Sequence, residues 1–394
     1  MTGALQGVRV LELGQLIAGP FCGQLLGDMG ADVIKVEPPG AGDPMRTWGA
    51  GPQPLWWEVI ARNKRSVSAN LRVAEGQALV RSLAQHADIL IENFKPGTME
   101  KWGLGPSALQ ALFPGLIIVR VSGYGQTGPF AERAGFGGIG EAMGGWRNLV
   151  GYPDQAPPRM GISIGDTLAA SYACMGALAA LHARERTGRG QVIDASLFES
   201  VLQVMESTVS EFAVTGHVRE RSGPFLPGIA PSNVYPCRDG DLLIGANKDE
   251  LFARLARVMG APELARDARF VDHAARGRNQ RELDELISLW TRQHSVRDVE
   301  DKMNQASIPA GRMYRAADML ECLQYQARDA IVEVQTPRWG AVKMQNCFPL
   351  LSDTPSRIRT PAPTEVGQDN DAVYGELLGM SPDALRDLRA RGVI

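Results

Sequence analysis

Cysteine is scarce: five residues in 394, at positions 22, 174, 237, 322 and 347. The number is odd and no two form a C-x-x-C pair. This argues against a disulfide framework and against a cysteine zinc site. Reduced thiols suit a cytoplasmic protein. No charge sign is in surplus: 41 Lys and Arg stand against 44 Asp and Glu, a formal net charge of −3. Nucleic acid is therefore not the expected main partner, because phosphate neutralisation needs a basic excess. The first eight residues lack a basic patch followed by an apolar run, so no secretory signal is read there. Long apolar runs are missing too. The most apolar helical stretch, Thr167 to Ala183, carries Ser171 and Tyr172 and abuts Asp166. It is short for a bilayer and reads as a buried core helix, with no membrane expected. Two catalytic signs are absent. There is no Gly-x-Ser-x-Gly elbow. The five histidines (86, 182, 217, 273, 294) do not pair at metal-ligand spacing, and no metal is expected.

What is present is glycine and proline, 44 and 25 residues, in a chain that is 44% apolar. That is a globular composition with many turns between short elements. The length suits two units, or one large α/β unit with an insert. Val8–Leu13, Ala31–Glu37, Ile89–Phe94 and Leu116–Val121 read as strands, with helical patterns at Phe21–Met29 and Glu75–His86 between them. A further strand runs from Val192 into a helix. Strands alternating with helices predict parallel βαβ units and a ligand crevice at the strands' C-terminal ends. After Ser200 the pattern becomes helix-rich. From about Ile331 it is irregular and Pro-rich, a strap, before two helical segments in 371–394.

Four stretches could carry chemistry. Leu13-Gly14-Gln15-Leu16-Ile17-Ala18-Gly19-Pro20 follows the first strand, where a nucleotide-binding protein places its phosphate loop, and the helix start could face an anion. The glycine spacing is not G-x-G-x-x-G, so NAD is disfavoured although Glu37 mimics a ribose-binding acid. A packing turn explains the glycines equally well. Arg62-Asn63-Lys64-Arg65-Ser66 could hold phosphate groups or be a solvated loop. Asn93-Phe94-Lys95-Pro96-Gly97 follows the third recognised strand. Asp166 stands at a glycine turn before the small-residue helix. It could be an N-cap, or a carboxylate nucleophile that forms an acyl intermediate.

Taken together, segments in order resemble one family. They are 16–23, 30–37, 63–66, 92–94, Gly123-Tyr124-Gly125-Gln126-Thr127-Gly128-Pro129, Ile164-Gly165-Asp166 and Thr187-Gly188-Arg189-Gly190-Gln191. The chain resembles the class III CoA-transferases, the superfamily of formyl-CoA transferase, carnitine CoA-transferase and α-methylacyl-CoA racemase. The resemblance covers nearly the whole chain, with the middle third looser. It implies a Rossmann-like large domain (1–200 with 371–394), a small α+β domain (226–325), linkers at 201–225 and 326–370, and an interlocked homodimer. It implies coenzyme A thioesters as substrates and no permanently bound cofactor. CoA would lie against Gln15, Ile17, Ala18, Arg65, Asn93, Phe94, Lys95 and Lys101, with Asp166 as the acyl-accepting carboxylate. Arg46, Phe136, Gly137 and Arg159 are the candidates on the acid's side.

The departures narrow the activity. Racemases of this superfamily resemble one another in a His-Asp pair after the Gly-Tyr-Gly segment; here that place reads Ala134-Gly135-Phe136-Gly137. Racemisation needs two proton-moving groups, so a transferase is favoured, with a racemase or a non-catalytic CoA-binding protein as alternatives. The 223–230 segment lacks the glycine run of formyl-CoA transferase, which argues against oxalate and formate. The stretch Arg159 to Asp166 looks most like members that pair succinyl-CoA with a small dicarboxylate such as itaconate, citramalate, mesaconate or glutarate.

Overall fold

The computed structural model describes residues 3–49 and 54–394. It contains two compact units, the first made of residues 1–146, 159–210 and 324–394, the second of Arg147–Pro158 and Glu211–Leu323.

The first unit is built on six parallel strands: β1 (Arg9–Glu12), β2 (Asp32–Glu37), β3 (Lys64–Ser68), β4 (Ile89–Glu92), β5 (Ile117–Ser122) and β6 (Val192–Ser196). Their order across the sheet is β3-β2-β1-β4-β5-β6, the doubly wound Rossmann order. β4 and β5 are buried throughout, as expected of strands covered on both faces. Helix α1 (Ala18–Asp28) returns β1 to β2. Pro20 sits in its first turn, where a missing N–H costs little. It stops at Gly30, whose φ of 113° and N–H to Gly27 O make the C-terminal turn. Helix α2 (Ala74–Ala84) returns β3 to β4, and α3 (Gly137–Met143) follows β5.

The apolar helix is α4, Ile164–Thr187. By length and composition it could cross a bilayer. Its buried face is instead a row of small residues, Ala169, Ala170, Ala173, Cys174, Ala177 and Ala180, packed in one cluster with Cys22 and Leu26 of α1 and with β4 and β5. Small side chains at helical spacing let α1 approach closely.

The second unit is an antiparallel sheet, β7 (Ser232–Pro236), β8 (Asp241–Gly245) and β9 (Ala310–Arg312), with helices α5 (Asp249–Val258), α6 (Gln280–Thr291) and α7 (Val296–Gln305). Its core joins Tyr235, Phe252, Phe270, Leu283 and Ile287. Arg276 is fully buried there, satisfied by the carbonyls of Ala230, Phe270 and Asn247 and by Asp249. Residues 147–158 and 211–225, expected in the large domain and a linker, cluster with this unit.

Residues 324–394 rejoin the first unit. The 326–370 stretch, expected as a linker, forms a hairpin, β10 (Ile331–Thr336) and β11 (Gly340–Gln345), and then lashes the sheet edge. Arg359 N–H donates to Asn63 Oδ1 at 2.6 Å, and Ser66 N–H and Ser68 N–H donate to Asp369 and Asn370 side chains. The outer edge of β3 is thereby satisfied and closed to strand addition. Helices α8 (Asn370–Leu378) and α9 (Pro382–Ala390) add Val373, Tyr374, Leu385, Leu388 and the terminal Val393 and Ile394 to the core over β3 and α2.

Candidate active site

Edge strand β3 changes the reading of the cationic stretch 62–66. A loop able to grip phosphate was one expectation, and its residues are committed elsewhere. Arg62 is buried and forked onto Asp28, with Nη1 donating to Gln345 O. Lys64 is buried against Glu12. Arg65 faces Asp32 at 2.6 Å, and Glu376, on the side of the sheet where β2 begins. Arg65, expected at CoA, thus forms its ion pairs near the strands' N-terminal ends. The cause is the two-residue period of a strand, which sends these side chains to places that a loop reading cannot assign.

At the C-terminal ends of β1, β2 and β4 the sheet opens into a cavity of about 820 Å³. Its walls are Leu13 and Gln15 after β1, Val36 to Ala41 after β2, Ala69 to Arg72 after β3, Phe94 and Trp102 after β4, and Arg389, Gly392 and Ile394 from the chain's end. This is the switch point of the fold, between strands that wind in opposite directions. Gln15 and Phe94 of the expected set line it. Asn93 does not face it as a free ligand. Its side chain clasps the Gln15 backbone, accepting from N–H at 2.7 Å and donating to C=O at 2.8 Å. Gly14 and Gly19 give that amide its room. Ile17 and Ala18 are buried at the start of α1. Lys95 and Lys101 are exposed beyond β4. Phe94 meets Trp102 edge-on at 5.1 Å.

A second group surrounds Asp166. It occupies the third position of α4, whose N-cap is Ser163, so the capping role is not its own. Its carboxylate rests on the bare Cα of Gly137, where a methyl would overlap Oδ2. Burial is the larger cause and the charge of Glu141 the next; together they push its pKa up to about 6, against the pull of Arg159. Glu141 is 2% exposed, four residues after Gly137 on α3, and its side chain lies against Gly165. Phe136 stacks on Trp48 at 5.9 Å beside this group. Arg159 is exposed and donates to Ser163 Oγ at 3.1 Å. Arg46, expected on the acid's side, is engaged by the chain itself. It pairs with Glu37, donates to the carbonyls of Pro363, Thr364 and Glu365, and lies over the Trp57 ring at 4.0 Å. Those carbonyls belong to the strap, which only tertiary structure brings near.

Sequence reasoning missed Glu141, Trp48, Arg72, Trp102 and the terminal residues 389–394. An acid four residues on from Gly137, on one helix face, was a usable signal for Glu141. Arg72 would have followed from recognising β3 as a strand with a C-terminal end. Nothing local marks the terminal residues. Among the described residues no group of three or more His, Cys, Asp or Glu is placed to hold a metal ion.

A doubly wound sheet with an open crevice at its switch point is the architecture of α/β proteins that bind ligands at the strands' C-terminal ends, and a buried carboxylate at a helix start adds a candidate reactive group. The chain belongs to CoA-transferase family III, whose family model matches residues 5–370. It is 54% identical, over 99% of its length and 98% of the relative's, to a succinyl-CoA–D-citramalate CoA-transferase of Chloroflexus aurantiacus. It is 35% identical to a succinate–glutarate CoA-transferase of Agrobacterium fabrum, over 95% of each chain. The crystal structure of a CAIB/BAIF family protein from Brucella suis superimposes with a TM-score of 0.86 at 35% identity, covering 96% of this chain and 100% of that one. The enzyme is a class III CoA-transferase: it takes CoA thioesters as substrates and moves CoA between carboxylic acids.

Proposed function

We propose that this enzyme transfers CoA from succinyl-CoA to a small dicarboxylate of the citramalate kind, with Asp166 as the covalent relay. The acceptor class rests on the 54% identity, across nearly the whole of both chains, to the D-citramalate enzyme. The relay rests on one observation: the Asp166 carboxylate lies against glycine backbone and no described residue donates a hydrogen bond to it. A carboxylate without donors keeps its lone pairs for an electrophile.

The steps conserve the thioester's free energy. A carboxylate oxygen of Asp166 attacks the succinyl carbonyl, the C–S bond breaks, and CoA leaves as thiolate. The thiolate attacks the Asp166 carbonyl of the mixed anhydride, releasing succinate and leaving an aspartyl-CoA thioester. The acceptor's carboxylate attacks that thioester, again expelling the thiolate. The thiolate finally takes the acceptor's acyl group, and Asp166 returns as carboxylate. Glu141 and burial raise the energy of the resting anion, which favours its acylation. Water must be kept from both activated forms of Asp166. Gln15, Ile17, Ala18, Asn93, Phe94, Lys95 and Lys101 would hold or shape the site for CoA in the crevice, joined by Arg72. Arg159, the cation whose charge reaches Asp166, would meet the acceptor's second carboxylate, beside Phe136 and Gly137. Two copies would interlock into a homodimer, and the free thiols suit the cytoplasm.

The test is Asp166→Ala with succinyl-CoA and a panel of dicarboxylates, read by mass spectrometry. Exchange should vanish while CoA still binds, and hydroxylamine should mark Asp166 in the wild type during turnover. Near-normal turnover in the variant would end the relay reading.

A further inference from the structure

Beneath the Gly14–Pro20 turn lies a set of charges that the transfer chemistry does not use. The side chains of Glu12, Lys35, Asp43 and Lys64 are all at most 1% exposed. Lys35 Nζ stands 3.1 Å from Glu12 Oε1 and 2.8 Å from Asp43 Oδ2, and donates to Gly14 O at 2.7 Å. Lys64 Nζ stands 2.8 Å from Glu12 Oε2 and donates to Pro20 O at 2.6 Å. Asp43 Oδ1 accepts from Leu16 N–H at 3.1 Å and from Met45 N–H at 2.8 Å, while Asp43 N–H donates to Glu37 Oε2. Room for the Glu12 carboxylate comes from Gly23 on α1, where a methyl would overlap Oε2.

Burying four charges is costly, and apolar residues of the same volume often give an equally stable protein. What distinguishes these charges is the backbone they hold. Gly14 O, Leu16 N–H and Pro20 O all belong to one turn, and Asn93 fixes Gln15 between them. At the centre of that turn Leu16 has a φ of 63°. This is the left-handed region that a branched side chain resists and glycine accepts.

We propose that Asp43 and Lys35 are positioning residues: a buried tether that forces Leu16 into the left-handed conformation and so sets Gln15 and the start of α1 against the acyl-CoA crevice. The tether touches no substrate and acts through the turn. The inference rests on the reading that the crevice holds CoA.

Asp43→Asn keeps the size and the acceptor toward Leu16 but removes the charge opposite Lys35. In the full-length enzyme it should raise the acyl-CoA KM on the order of ten- to a hundredfold, the usual effect of small misplacements. Adding Leu16→Gly should return most of that affinity while Tm stays low, because glycine takes the turn unforced. A network that only stabilises the fold would lower Tm and gain nothing from the glycine. An unchanged KM in Asp43→Asn, or a double variant no better than the single, overturns the proposal. If Asp43→Asn does not fold, Leu16 alone decides. Leu16→Val, β-branched, should raise the acyl-CoA KM while Leu16→Gly stays near wild type, and equal effects overturn it. Arg72→Ala separates the two readings through CoA calorimetry. If it and Asp43→Asn both leave affinity intact, the crevice does not hold CoA. If only Arg72→Ala weakens binding, the crevice stands and the tether fails.

Discussion

Replacing Asp166 with Asn exchanges a partly buried anion for a neutral amide of nearly the same size. Burial and the Glu141 charge hold the Asp166 pKa at about 6, against 3.8 for an ordinary aspartate. A difference of that size disfavours the anion in the folded chain by about 3 kcal/mol. The figure is a ceiling, because the carboxylate keeps some contact with solvent and Asn needs hydrogen bonds of its own. The folded value lies above the unfolded one. Asp166 therefore favours folding fully below about pH 3.8, and that contribution is lost as the pH rises through about 6. The Asn variant does not titrate. Its stability relative to wild type should shift little at acid pH, rise between 3.8 and 6, and level off above. The assay is paired thermal melts from pH 4 to 8, in which the variant gains a few degrees at pH 7 relative to its own offset at pH 4. CoA exchange should be lost throughout. A stability difference that does not change with pH, or one that favours the wild type increasingly as pH rises, would refute this account of the site.

Gly137→Ala should place its methyl on Asp166 Oδ2 and displace the carboxylate; turnover should fall on the order of a hundredfold, with acyl-CoA KM and Tm little changed, in steady-state assays and melts. Wild-type kcat would show that Asp166 works from elsewhere. In the second unit, Arg276→Met should strand the carbonyls of Ala230, Phe270 and Asn247. The loss should be at least about 2 kcal/mol, since each buried unpaired acceptor costs about 1–3 kcal/mol. Hydrogen exchange should show β7, β8 and α6 opening before the parallel sheet does.

Much of the fold was legible because its clues are local. The apolar runs of β1, β2, β4 and β5 and the small-residue face of α4 follow from residues a few places apart, and the structure has elements at each. Asp166 could be singled out because glycine turns and a helix start surround it in the chain. The polar stretch 62–66 misled because its alternation is charged. Lys64–Ser68 reads as a loop until Asp28, Glu12 and Asp32 arrive from α1, β1 and β2 to pair with the cations. The partners of Arg46 were equally hidden: Glu37, and carbonyls more than 300 residues away.

Local sequence alone carries the alternating α/β pattern, the parallel sheet and an acid flanked by glycine in the first turn of α4. Backbone periodicity and turn chemistry act over a few residues and leave their trace there. The tertiary structure alone decided which charges are buried and with whom, that the strap and the C-terminal helices close the sheet edge, and that Ile394 and Arg389 border the crevice. Burying a charge requires a partner at a few ångströms, and in this chain most partners are tens to hundreds of residues away. The turn at Leu16 joins the two levels: its glycines are visible in the sequence, but the tether beneath it appears only once β1, β2 and β3 lie side by side.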